Sequence, residues 1–272
     1  MPAISAKDVM KLRASTGLGM MECKKALTEA EGDMDKAAEI VRTKFGAKMD
    51  KRSGRDATEG KVAVALSDDG STGAIVLIAT ETDFTANNEQ FVEMAQKIAD
   101  QVHSDFAPGS DAAANNAITA LIEPVKLVTQ ENIQFGKGVV FGGPGKTVGS
   151  YVHFTGKTGV LVELEGGDVP EQTIKDLCMH ISAIVPEPLG ISADDIPAEA
   201  VEEEKARALK DAMDSGKPEA IAEKMVTGKM RKYLDSVALL RQPFVKDDKQ
   251  PVASILPDGI TVTRFAKYQI GG

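Results

Sequence analysis

Three observations in this 272-residue sequence predict an α+β fold. Apolar residues recur at helical spacing through the first 50 positions. Two later stretches each set a pair of apolar runs around a tight turn and follow them with an amphipathic helix. A charged segment beginning near residue 194 then carries apolar residues at helical spacing on both sides of a Gly-Pro turn. The expected architecture is an N-terminal three-helix bundle, a core of two duplicated β-hairpin–helix subdomains, and a protruding antiparallel coiled-coil helical hairpin.

The bundle is read first. Ser5 followed by Asp8 resembles a capping box, and Val9, Leu12 and Arg13 continue at helical spacing. Thr16-Gly17-Leu18-Gly19 breaks that helix. A second runs from Met20 to Ala30, with Met20, Cys23, Ala26, Leu27 and Ala30 on one side. Glu31-Gly32-Asp33 stops it, and Asp33 caps a third helix with Ala37, Ile40, Val41 and Phe45 inward. Residues 46–60, polar and locally basic through Lys48, Lys51, Arg52 and Arg55, read as a solvated linker.

The core follows as a repeat. Residues 61–67 and 73–80 are strands around the turn Asp68-Asp69-Gly70-Ser71, and a helix over 87–102 buries Phe91, Met94, Ala95, Ile98 and Val102. Residues 148–154 and 159–164 flank Thr155-Gly156-Lys157-Thr158, and a helix over 171–185 carries Ile174, Leu177, Cys178, Ile181 and Ile184. Each unit needs a cover for its open face. Between them a helix is expected near 112–128 and a Gly-rich stretch over 136–149.

In 194–238, Val201, Ala208, Leu209 and Ala212 precede the turn Asp214-Ser215-Gly216-Lys217-Pro218, and Ile221, Met225, Val226, Tyr233 and Val237 follow it. The narrow stripe predicts a hairpin that projects from the body. Residues 260–270 alternate as a strand, bulged near Arg264-Phe265. Domain limits are thus 1–54, 55–147, 148–193, 194–238 and 239–272, the last completing the core.

Composition narrows the function. Thirty-two basic against 41 acidic residues give a net charge of −9, and aromatics are 4% with no Trp, so no nucleic-acid binding is expected. Cys23 and Cys178 form no CxxC, no apolar run is long enough for a membrane helix, and the N-terminus lacks a leader's apolar core. A cytoplasmic protein with no membrane partner is expected.

Phosphate-loop look-alikes fail on spacing. Gly145-Lys146-Thr147 has Val140 where a glycine is needed, Gly156-Lys157-Thr158 has Tyr151, and Gly136-x-Gly138 meets Phe141. His103, His153 and His180 show no metal spacing, and GxSxG and HExxH are absent. Cys23 reads as core, His180 as structural, and Met20, Met21, Met225 and Met230 as filler. His153, beside Tyr151, either faces a partner or packs at an edge. Nothing assembles an acid, a base and a nucleophile, so neither enzyme chemistry nor a cofactor or metal is expected.

Thr80-Glu81-Thr82-Asp83-Phe84-Thr85-Ala86 ends a strand and precedes a helix. On one reading Thr82 or Asp83 caps the helix and Phe84 folds onto the core as a staple. On the other, Asp83 and Phe84 protrude together, a carboxylate to perturb a hard cation and a ring to pry packed elements apart.

Residues 12–27, from Leu12-Arg13-Ala14-Ser15-Thr16-Gly17-Leu18-Gly19 through Met20-Met21-Glu22-Cys23-Lys24-Lys25-Ala26-Leu27, closely resemble the N-terminal signature of bacterial translation elongation factor Ts. Thr82-Asp83-Phe84 resembles that family's Thr-Asp-Phe-Val-Ala signature. Gly149-Ser150-Tyr151-Val152-His153, Ser215-Gly216-Lys217-Pro218 and Ile221-Ala222-Glu223-Lys224-Met225-Val226 resemble further segments in the right order. The resemblance implies a guanine nucleotide exchange factor for elongation factor Tu in its GDP-bound and nucleotide-free states, displaced once GTP binds. It implies a ubiquitin-associated-like N-terminal domain. It assigns Thr82, Asp83, Phe84 and Thr85 to dislocation of the partner's Mg²⁺. It assigns Leu12, Arg13, Thr16, Gly17, Met20, Met21, Lys24, Lys25 and His153 to partner binding, and a homodimer is compatible with it.

Two departures carry expectations. Thr85 stands where the family has valine, which predicts a modest cost or a different local cap. Some relatives continue into a C-terminal helix beyond the position of Gly272, so the bundle and core are expected to carry more of the binding. The rival to exchange is an adaptor that binds a partner through the three-helix module without affecting nucleotide.

Overall fold

The computed structural model describes residues 4–50, 54–214, 216 and 218–271, with the side chains of 45–50 and 219 left aside. Phe45 and Lys48 as side chains, and Lys51, Arg52, Ser215 and Lys217 altogether, lie outside the described residues.

Helix α1 (Ala6–Thr16) starts where the Ser5 hydroxyl accepts the Asp8 N–H at 3.1 Å, and ends at Gly17 in the left-handed region (φ +67). Helices α2 (Met20–Glu29) and α3 (Met34–Asp50) follow, and Asp33 Oδ1 accepts the N–H groups of Asp35 and Lys36 to open α3. Leu12, Leu18, Cys23, Leu27, Ala37 and Val41 fill the bundle core. The linker predicted from residue 46 begins later, because α3 continues to Asp50. A single glycine, Gly46, costs a helix only about 1 kcal/mol, and alanine, lysine and methionine around it favour continuation.

Strands β1 (Glu59–Leu66) and β2 (Thr72–Thr80) form the first hairpin. A one-turn helix α4 (Asp83–Ala86) comes next. Then follow α5 (Glu89–Asp105), β3 (Asp111–Ala112), α6 (Asn116–Thr129) and β4 (Gln134–Gly142). Their antiparallel sheet has the order β1-β2-β4-β3. The Gly-rich stretch is therefore largely strand. Gly136 and Gly138 lie against Leu77, Val76 and Ala112 so closely that a Cβ would meet them at 2.7–3.2 Å.

The second sheet has the order β5-β6-β9, from β5 (Lys146–Val152), β6 (Thr158–Glu165) and β9 (Thr261–Gln269), with α7 (Glu171–Ala183) on its outer face. α7 stops short of the predicted residue 185, just ahead of Pro186. The β6–β9 register slips by one, leaving Thr263 as the extra residue beside Arg264. A short hairpin, β7 (Pro243–Phe244) with β8 (Asp247–Pro251), packs under α7.

The two sheets cover one another. Val62, Ile75, Leu77, Val139 and Phe141 of the first meet Val148, Leu161 and Tyr268 of the second, while α5 and α6 bury Phe91, Ile98 and Ile118 on the first sheet's far side. Each open face predicted by the hairpin–helix repeat is thus closed by the other unit, an α/β/β/α stack.

Helices α8 (Ala198–Asp214) and α9 (Glu219–Val237) pack on one another through Ala208 and Ala212, and Lys229 Nζ reaches Asp211 Oδ2 at 2.6 Å. Leu209 and Ile221, expected on the apolar stripe, are instead nearly half exposed. Alanines let the backbones approach closely, which turns the larger side chains outward. Ile196, Val237 and Ala238 anchor the pair at its base.

Candidate functional site

The central strand β2 ends at Thr80, and the chain turns sharply into α4. Thr82 is the N-cap: its hydroxyl accepts the Thr85 N–H at 3.3 Å. Opposite stands Glu131, just past the end of α6. Its Oε2 accepts from the Thr80 hydroxyl (2.9 Å) and the Thr82 N–H (3.1 Å), and its Oε1 from the Thr82 hydroxyl (2.6 Å). Burial pushes this carboxyl up, but hydrogen bonds from Thr82, Thr85 and Thr80 outweigh it and hold it below its ordinary value. Glu81 makes a second clamp, accepting the Asn132 N–H at 2.7 Å and pairing with Arg55 at 3.1 Å.

On this base Phe84 is 86% exposed and Asp83 points to solvent beside it. The staple reading of Phe84 is overturned: the cap is real, but the ring does not fold onto the core. Thr85 and Ala86 are the buried members of the turn. Thr85, assigned by the resemblance to the partner's Mg²⁺, is buried behind the exposed Asp83–Phe84 pair.

The other predicted residues divide in the same way. Arg13, Gly17, Met20, Met21, Lys24 and Lys25 are surface residues of α1, α2 and their connection, and Met21, Lys24 and Lys25 line a shallow hollow of about 360 Å³. Met20 and Met21, 49% and 66% exposed, are not filler. Leu12 and Thr16 are buried in the bundle, and the Thr16 hydroxyl donates to the Leu12 carbonyl at 2.6 Å. His153 lies on the β5–β6 turn, with Tyr151 Oη 3.0 Å from its Nδ1 and the Phe154 ring 4.4 Å away.

The end of α6 joins two of these groups. Val128 presses on Gly17, where a Cβ would come within 2.3 Å of Val128 Cγ2, and Glu131 holds the α4 turn three residues later. Glu131 was invisible in the sequence, being one carboxylate among many with no local motif.

His180 is structural as expected, buried between Gln242 and the Val245 N–H. Among the described residues no group of His, Cys, Asp and Glu could hold a metal ion, and no helix is long and apolar enough to cross a membrane.

Residues 81–272 match the family model described as elongation factor TS. Over 276 residues the chain is 45% identical to elongation factor Ts of Alkalilimnicola ehrlichii, covering 99% of this chain and 92% of that one. It is 44% identical to the Methylobacillus flagellatus protein of that name over 279 residues, covering 100% and 93%. It is 41% identical to the Halorhodospira halophila protein over 275 residues, covering 99% and 92%. Agreement of this extent, running from the α1–α2 signature through the α4 turn to β9, shows that the chain belongs to the elongation factor Ts family.

Proposed function

We propose that this chain, a nucleotide exchange factor of translation elongation, releases GDP from elongation factor Tu by inserting the Asp83–Phe84 turn beside the partner's Mg²⁺. The observation that carries this reading is the contrast at α4: Phe84 is 86% exposed, yet the turn beneath it is bonded through Thr80, Thr82 and Thr85 to one carboxylate. A preorganised apolar prong loses little freedom on docking, so its burial energy is available to distort the partner. GDP is held through its phosphates and through Mg²⁺, which demands near-ideal octahedral oxygen geometry. A ring that displaces packed elements, with a carboxylate brought near the ion, favours the state in which that geometry is broken.

No bond is made or cleaved. A factor that binds the nucleotide-free partner more tightly than the GDP-bound one weakens GDP binding by the same ratio, by linkage. Arg13, Met20, Met21, Lys24 and Lys25 on the bundle, with His153 on the core, supply affinity, and the α4 turn supplies the difference between states. The adaptor reading has no support among relatives that carry the elongation factor name.

The test is release of a fluorescent GDP analogue from elongation factor Tu in magnesium, with wild type and with Asp83→Ala/Phe84→Ala. Acceleration by wild type that collapses in the double variant, with binding retained, supports intrusion. A variant that matches wild type sinks the mechanism, and wild type that binds without acceleration returns the adaptor reading.

A further inference from the structure

Phe84 is not the most exposed ring on the molecule. Phe154, at the tip of the β5–β6 hairpin, is 90% exposed and touches the His153 ring on one side. The rest of the tip, Thr155-Gly156-Lys157, is polar or glycine, and the turn closes by its own main-chain bond from the Gly156 N–H to the His153 carbonyl at 2.7 Å. Nothing in the turn requires a phenylalanine.

The tip and the α4 turn belong to different sheets, yet one side chain joins them. Lys61 on β1 donates from Nζ to the Thr155 carbonyl at 2.6 Å and to Asn87 Oδ1 at 2.9 Å. Asn87 Nδ2 in turn donates to the Asp83 carbonyl at 2.9 Å. Gly156 (φ +71) leaves room for this, since a Cβ there would come within 2.6 Å of Lys61 Cδ. The Val62 N–H, bonded to the Gly156 carbonyl at 2.8 Å, fixes the tip on β1 beside it. Two hydrogen bonds from one ammonium and a third from the Asn87 amide therefore run from the Phe154 tip to the backbone of Asp83.

We infer that Phe154 is a second apolar anchor for elongation factor Tu, and that Lys61 is a positioning residue holding Phe154 and Phe84 in register as one two-pronged unit. The inference rests on the reading that the Asp83–Phe84 turn enters that partner. Continuity argues for a shared occupant: the Lys61 relay makes the two rings parts of one braced surface, and His153 lies between the tip and the sheet. Exposed aromatic anchors carry much of the affinity at protein interfaces, and a braced pair is already ordered before it docks.

The experiment measures affinity for nucleotide-free elongation factor Tu, and separately GDP release. The variants are Phe84→Ala, Phe154→Ala and their combination, each with Lys61, Lys61→Met or Lys61→Arg. Phe154→Ala is expected to weaken binding about 10-fold, as for an aromatic anchor, at an unchanged melting midpoint. With Lys61 the two losses are non-additive; with Lys61→Met, which keeps the aliphatic stem but no donor, they add; Lys61→Arg restores the coupling. A merely structural lysine would not change that additivity. Wild-type affinity in Phe154→Ala overturns the anchor, including when the variant alters only self-association of this chain. Non-additivity that survives Lys61→Met overturns the brace. Weakened binding by Phe154→Ala without any effect of Asp83→Ala/Phe84→Ala on GDP release upholds the anchor and sinks the intrusion reading alone.

Discussion

Glu131 Oε1 lies 2.6 Å from the Thr82 hydroxyl, a single hydrogen bond that spans 49 residues of chain. It fixes the N-cap of α4 to the end of α6, and so sets the direction in which Phe84 leaves the surface. The donors around Glu131 are the Thr80 and Thr82 hydroxyls and the Thr82 main-chain N–H, all aimed at its two oxygens. Only an ionised carboxylate accepts from all of them at once.

Glu131→Gln tests that point. The amide keeps one acceptor and turns an NH₂ toward groups that were donating, so the change is expected to cost about 1–3 kcal/mol, the range for charge-assisted bonds in a partly buried site. GDP release at saturating concentrations should slow more than affinity falls, because the bundle contacts are untouched. Since the folded carboxyl titrates below its ordinary value of 4.5, its contribution is complete above that pH and is lost as pH falls through the lower folded value. An acid melting series checks this: wild type should lose stability below about pH 4.5 more steeply than Glu131→Gln. Parallel curves would remove Glu131 from the account.

What the sequence revealed followed the range of its signals. Turn chemistry at Asp68–Ser71 and helical periodicity at Phe91–Val102 are local, and both elements formed where expected. β4 escaped because Gly136, Gly138 and Gly142 look like a loop, whereas they serve close packing between strands. Its Val139-Val140-Phe141 run was the legible part. The α8–α9 seam went to Ala208 and Ala212 instead of Leu209, because hydrophobicity alone does not report how closely two helices approach. At the site, the Thr82 cap was readable from spacing, but the outward turn of Phe84 was not, since it depends on Glu131 and Lys61 from distant segments. Thr85 shows the same limit: its hydroxyl had a partner that no local pattern names.

His180 gives a second pH signature, in a different window. The Val245 N–H donates to its Nδ1 at 3.2 Å, which leaves Nε2–H to donate to Gln242 Oε1 at 3.1 Å. Burial lowers its pKa from 6.5, and the Gln242 bond opposes this only in part. The unfolded chain thus takes up a proton first, so stability is full above about 6.5 and declines as pH falls from there toward the folded value. The melting midpoint of wild type should drop between about pH 7.5 and about pH 5.5, while His180→Gln should melt lower throughout but stay nearly flat across that window. An equal slope in the variant would assign the effect to other groups.

Gly17→Ala tests the joint between bundle and core. Gly17 holds φ +67 at the end of α1, a conformation that costs an L-residue about 1 kcal/mol, and its Cα faces Val128 with no room for a methyl group. The clash falls on the side chain of Val128, itself 41% exposed, so α6 has little reason to move and the bundle shifts instead. The expected result is faster amide hydrogen exchange in α1–α3 with protection in β1 and β2 unchanged, because the sheet core makes no use of Gly17. Affinity for elongation factor Tu should fall, while the GDP release rate at saturation holds, since Glu131 and the α4 turn keep their bonds. If β1 and β2 lose protection along with the bundle, the two parts unfold as one unit and Gly17 is a determinant of global stability. If the saturated rate falls as well, the end of α6 transmits bundle position to the Asp83–Phe84 turn, and the division between affinity and intrusion fails.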